Sequence, residues 1–359
     1  MKMKFSVLVL ILLFYVESSV FRYNVAHTGN YTGEKLPKLE KIKWRFETGG
    51  TIYSSPAVVN NTVYFGSNDG FFYALDFKTG KLKWKFKTNN TIETSPAYFD
   101  GKIYFGSNDH YFYSLDAKTG KVIWKFKVEG WLMSSPILVD GIVYFGSGEG
   151  VLYALDAKSG TLIWKFKAGK AIYSSPAYFN GKIYFGSLDK SFYSIDSKTG
   201  KVIWVISTNG MITSSPVISR GMVLFGSHDG KLYAVDAQTG VIKWTFQTRG
   251  QITQTPAVDD KAVYFSSADG AFYIVSLNGK LIWKFALNEV SIWSPPIVAG
   301  DFIYVGVNTA TYSGIYRLNR RTGKMDVAFD MWHRIFSSPI IVDGILLIGS
   351  KDNFLYAIE

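Results

Sequence analysis

Residues 73–86 read YALDFKTGKLKWKF and residues 153–166 read YALDAKSGTLIWKF. One chain writes nearly the same stretch twice, so it is built of copies, and the tryptophan in the stretch measures their length. Trp recurs at 44, 84, 124, 164, 204, 244 and 283, a spacing of 40 with one step of 39. A Ser-Ser-Pro-like triplet keeps the same period and ends at Pro56, Pro96, Pro136, Pro176, Pro216, Pro256, Pro296 and Pro339, which makes eight copies. A period near 40 without helical patterning is that of a propeller blade.

Each copy reads as four short strands. In the first copy they are 52–59, 62–67, 71–76 and 81–87, rich in β-branched and aromatic residues and separated by turn residues. Asp69-Gly70 closes a hairpin. In the longer turn 76–80, Asp76 is placed to accept backbone N–H groups and Gly80 to take a positive φ. In the fourth strand Lys81, Lys83, Lys85 and Lys87 alternate with Leu82, Trp84 and Phe86, which predicts one cationic and one aromatic face. Lysines on an outermost strand oppose edge-to-edge aggregation. Much of the formal charge of +11 therefore reads as a solvated outer rim, and nucleic acid is not an expected partner.

The two ends complete each other. The eighth copy stops at Glu359 after its third strand, FLYAIE, while an unclaimed fourth strand, KIKWRFE at 41–47, stands near the front with Trp44 in the repeat slot. The expected fold is all-β: one eight-bladed β-propeller of four-stranded antiparallel blades over 40–359, its ring closed by strand 41–47 in blade eight.

The repeat AxDxxTGxxxW resembles the tryptophan-docking repeat of the quinoprotein-type, PQQ-like β-propellers. Ala74, Asp76, Thr79, Gly80 and Trp84 match it, as do Ala154, Asp156, Gly160 and Trp164 with Ser159 for Thr, and Ala234, Asp236, Thr239, Gly240 and Trp244. Copies two and four carry Ser114 and Ser194 in the Ala slot, copy six is shortened to SLNGK, and copy seven has Val327 where Trp belongs. The resemblance implies that Trp44, Trp84, Trp124, Trp164, Trp204, Trp244 and Trp283 stack between neighbouring blades, a structural duty. It does not imply a bound cofactor, since many relatives carry the repeat without one. The size is closer to the scaffold propeller of the outer-membrane protein assembly machine than to the longer quinoprotein dehydrogenases, although the lipid-bearing Cys of the former is missing.

Composition adds limits. With no cysteine there are no disulfides, thiolate metal sites or Cys nucleophiles. Lys2 and Lys4 precede an apolar run over 5–16, and Ser18 and Ser19 follow, the layout of a secretory signal over 1–19. Residues 20–39 form a lead-in whose segment 21–33 looks like that of secreted members of the family. The expected location is secreted, periplasmic or cell-surface, with an uncleaved N-terminal anchor as the alternative; no other stretch is long and apolar enough to span a membrane. Asn30, Asn60 and Asn89 begin N-x-T sequons.

Function is sought where the copies differ, because positions common to all copies are architectural. The first strand should line the central channel. Its variable positions supply Tyr53, Glu93, Trp131, Tyr173, Gln251, Trp293, Arg334 and Phe336, an aromatic wall with few polar groups of the kind a small ligand or peptide requires. Channel filling is the plainer reading of the same residues. The turn acids, one per blade, are spread around a circle and read as local turn chemistry. His27, His110, His228 and His333 have no metal-ligand spacing, and no nucleophile–base pair or phosphate loop is present, so no catalytic or metal residue is assigned. The extended turn 307–316 of copy seven stands beside Trp293. The expectation is a monomeric, non-catalytic binding or scaffold module for a protein or small ligand in the cell envelope, without cofactor. The alternative is a dehydrogenase of alcohols or sugars using PQQ with Ca²⁺, in which Trp131 or Trp293, Arg334 and Glu93 would serve.

Overall fold

The computed structural model describes residues 18–359 apart from 20, 23, 287–293, 309–312 and 332. The signal expected at the N-terminus falls almost wholly outside them, as do Trp293 and the tip of the copy-seven turn. Eight antiparallel sheets form a ring. Blade one consists of Ala57–Val59, Thr62–Gly66, Phe71–Asp76 and Leu82–Lys87, and the later copies repeat it. Blade eight takes its fourth strand, Ile42–Glu47, from the front of the chain, with Trp44 opposite Ala357 and Glu47 opposite Phe354. The amides of Glu40 and Lys41 both donate to the Glu359 carbonyl, at 2.8 and 3.3 Å, and the Lys41 and Lys43 ammonium groups lie 3.2 and 3.3 Å from the Glu359 carboxylate. The predicted closure is the observed one.

The docking of each tryptophan shows why Gly and Trp travel together in the repeat. Seven indole N–H groups, from Trp44 to Trp283, donate to a backbone carbonyl of the next blade at 2.9–3.3 Å. The indole of Trp44 lies on Gly80, whose φ is +68° and where a Cβ would come within 2.7 Å of the ring. Between blades, paired phenylalanines stack: Phe72 on Phe105 at 4.1 Å, Phe112 on Phe145 and Phe192 on Phe225 at 3.9 Å. The core is therefore interfacial, lying between blades.

Two expectations change. The first strand is shorter than 52–59: only Ala57–Val59 joins the ladder. Pro56 has no N–H to give, and the serines before it bond around the ring. The amide of Ser338 donates to the Ser55 hydroxyl at 2.8 Å, Ser55 to Ser95 at 3.0 Å, and Ser95 to Ser135, Ser135 to Ser175 and Ser175 to Ser215 at 2.9 Å each. The fourth strand is also less two-faced than its alternation suggests. Leu82, Val122 and Leu162, on the face expected to be covered, are exposed, because the end of an outermost strand has no neighbour to cover it.

The lead-in does something the sequence reading did not foresee. It crosses the ring inside the channel. Ser18–Ser19 adds antiparallel to Ala97–Phe99 of blade two. Further on, the amides of Tyr178, Ile218, Val258 and Val298, on the inner strands of blades four to seven, donate to the carbonyls of Val25, Ala26, Thr28 and Gly29 at 2.8–2.9 Å. An inner strand presents an unpaired edge to the channel, and this segment satisfies it. Arg22 is buried and donates to the carbonyls of Thr255, Pro256 and Pro296 at 3.4, 3.0 and 2.7 Å. That is where the serine relay stops, since copy six offers Thr255 and copy seven Pro295, which lacks an N–H.

Candidate functional site

The face carrying the turns between second and third strands is called upper here. The lead-in bonds to the inner strands below the level of these turns, so the chain itself fills the lower channel. The described variable residues sit at the upper end of the channel, because their backbones are tied to the upper turns. The carbonyls of Thr51, Trp131, Ala171, Met211, Gln251 and Arg334 accept amides from Asn68, Gly148, Leu188, His228, Ala268 and Lys351 at 2.8–3.0 Å. Main chain holds these positions in place whatever side chain they carry, which leaves the side chain free to vary.

The mouth divides into two groups. Around blades eight, one and two, the rings of Phe336 and Tyr53 approach to 5.1 Å. Glu93 stands beside Tyr53; burial raises its carboxyl pKa. Burial, then the nearby Glu93 charge, raises the Tyr53 phenol. Around blades two to four, Trp131 and Tyr173 line a groove of about 400 Å³ with His110, Glu129, Gly130, Gly148 and Glu149. Trp131 is 56 % exposed, out of keeping with the docked repeat tryptophans. Gln251 and Arg334 are exposed, and neither lines this groove. The Thr213 hydroxyl is 3.0 Å from His228 Nε2.

The turn aspartates of copies one, two, four, five and six are consumed locally, as expected, and Glu149 of copy three is the exception. Asp69 accepts the Phe71 amide at 2.9 Å, the Tyr73 hydroxyl at 2.6 Å and the Gly49 amide, from the preceding crossover, at 2.8 Å. Sequence reasoning did not single out Glu129, Glu149 or His110 as site residues. The signal was present: His110 replaces the turn glycine in copy two, and Glu149 replaces the turn aspartate in copy three.

PQQ with Ca²⁺ fits these residues poorly. Ca²⁺ takes six to eight oxygens, and among the described residues no three His, Cys, Asp or Glu side chains gather as a cation shell. Glu93 and Arg334, the acid and base of that reading, belong to blades two and eight with blade one between them.

Comparison with known proteins agrees with this architecture. The structure superposes on BamB from Moraxella catarrhalis with a TM-score of 0.75 at 17 % identity, covering 88 % of this chain and 96 % of that one. It superposes on the quinohemoprotein alcohol dehydrogenase of Comamonas testosteroni with a TM-score of 0.78 at 14 % identity, covering 94 % and 79 %. At such identities the likeness is one of fold. In sequence, the beta-alanine-activating enzyme of Homo sapiens is 29 % identical over 90 residues, 23 % of this chain and 8 % of that enzyme. The match thus spans a small part of that enzyme's length. The family described as "Beta-alanine-activating enzyme, beta-propeller" matches residues 26–308, from the channel-crossing segment to blade seven, and the chain belongs to that β-propeller family.

Proposed function

We propose that the protein is an exported, non-catalytic binding module that works without a cofactor and presents the upper mouth of its ring to a protein or small-ligand partner in the cell envelope. The observation that carries this is the asymmetry of the channel. Its lower end is filled by the chain's own buried Arg22 and His27, while its upper end keeps exposed or half-buried aromatic and acidic side chains at the positions that vary between copies. The signal-like layout of residues 1–19 supports export. Aromatic side chains at a concave mouth with few polar groups suit recognition.

The test is site-specific photo-crosslinking in cells. A photoreactive residue at Met133 or Tyr53, on the mouth, is expected to capture one discrete partner, and one at Val205, on the outer strand, is not. Equal capture from both positions, or none from the mouth, would remove the reading. Titration with PQQ and Ca²⁺ addresses the dehydrogenase alternative. Saturable quinone binding lost in both Glu93→Gln and Arg334→Ala, with dye reduction by alcohols or aldoses, would replace the scaffold reading by an enzymatic one.

A further inference from the structure

In a repeat protein, departures from the repeat that meet in space point to a site. Four departures meet in the groove between blades two and three. Trp131 is the one aromatic residue in a slot that reads Thr, Ala, Met, Gln, Ser or Arg in the other copies. His110 occupies a turn position that is glycine in copies one, three, five and six, and it shares a left-handed φ, here +69°, with Lys190 and Asn353 of copies four and eight, so that only copy two places an imidazole there. Gly148 replaces the larger residue that precedes the turn acid elsewhere, and a Cβ there would approach the Trp131 amide to 3.0 Å. Glu149 replaces aspartate.

The last change frees a carboxylate oxygen. In copies one, two, four, five and six the turn aspartate takes three donors: the amide two residues on, the tyrosine hydroxyl four residues on, and the crossover amide. In copy three the Val151 amide goes instead to the Ser147 hydroxyl at 3.2 Å. Glu149 Oε1 accepts the Tyr153 hydroxyl at 2.7 Å, and Oε2, though buried, has no hydrogen-bond partner among the described residues. His110 Nδ1 is likewise without one. Lys167 reaches the Glu149 backbone carbonyl, and the carboxylate has no ion-pair partner among the described residues. Burial, then the Glu149 hydrogen bond, raises the Tyr153 phenol, and Glu129 adds to the shift, so both carboxylates act on one spot.

We propose that this groove binds an organic cation: the ammonium or guanidinium end of a lysine or arginine side chain, or of a free amine, stacked on the Trp131 face and paired with Glu149 and Glu129. An exposed indole attracts a cation through its ring quadrupole. A carboxylate oxygen without a donor is costly until a charged donor reaches it. The site rests on the reading of the upper mouth as a binding face and names the chemistry that face recognises.

The test uses the purified full chain and defined probes. Trp indole ¹H–¹⁵N signals are followed on addition of N-acetyl-lysine-methylamide, N-acetyl-arginine-methylamide, butylammonium and the ε-acetylated lysine amide. The three cations are expected to move the Trp131 signal saturably, more weakly as salt is raised, and the acetylated probe is not. Trp131→Ala and Glu149→Gln should each weaken binding about tenfold, read by calorimetry, with melting temperatures compared to confirm that both variants fold. Stronger response to the blocked amino acids than to butylammonium assigns a peptide source, and the reverse a free amine. No saturable shift, an equal shift with the acetylated probe, or unchanged affinity in a folded Glu149→Gln overturns the proposal. Crosslinking from the mouth that persists after such a result would leave the binding-face reading standing and remove only the cation groove.

Discussion

At the scale of single residues, the repeat motif turns out to be a contact between blades. Gly160 has a φ of +74°, and a Cβ there would lie 2.6 Å from the Trp124 ring. Gly141 has a φ of +75° with nothing within 4 Å of the same hypothetical atom. The pair separates backbone strain from docking. Gly141→Ala is expected to cost about 1 kcal/mol, the strain of a left-handed alanine. Gly160→Ala adds overpacking against a ring that cannot withdraw and should cost about 3 kcal/mol in urea unfolding. Equal costs would show that tryptophan docking is not what demands glycine. The Gly–Trp pairing was legible from their shared period. The serines of the triplet looked like plain filler, because a hydroxyl accepting an amide from the adjacent blade leaves no trace within its own copy.

At the scale of elements, the channel-crossing segment is the least repetitive part of the fold and carries the most unusual electrostatics. His27 is fully buried. Burial, aided by the Arg22 charge, pushes its pKa down to about 3 from 6.5. The folded protein therefore refuses a proton that the unfolded chain accepts below pH 6.5. Stability contributed by the neutral imidazole is complete above pH 6.5 and declines as pH falls toward 3. The carboxyls of Asp76, Asp116 and Asp156, held below their usual range chiefly by Thr or Ser hydroxyls, lose stability only below about 3.8, so their effect lies lower. His228, also depressed by burial, acts in the same direction as His27, and Glu93 in the opposite one. Melting temperatures between pH 7 and 4.5 should fall, and His27→Gln should flatten that fall. An unchanged slope in the variant would show that His27 is not held neutral. The lead-in was recognised as a segment from sequence; its place inside the ring was not, because a stretch with neither period two nor period 3.6 declares no partner.

At the scale of the whole molecule, closure by the strand Ile42–Glu47 joins the ends of the chain in one sheet. A ring has no free lateral blade face, so loss of the closing strand uncovers both blade eight and the Trp44 docking site on blade one. Deleting residues 40–47 should abolish cooperative unfolding, and a variant that melts like the full chain would refute closure. Read alone, the chain specifies blade number, strand order, turn chemistry and the closing strand. Each of these rests on contacts within one copy or on a period all copies must share. The folded ring alone settles which departures from the repeat meet. Arg22 finds the Pro296 carbonyl 274 residues away, and Glu149 lies beside a tryptophan and a histidine contributed through two different blades. Such neighbours are chosen by the curvature of the ring, which brings separate copies to one axis, and no spacing along the sequence encodes that meeting.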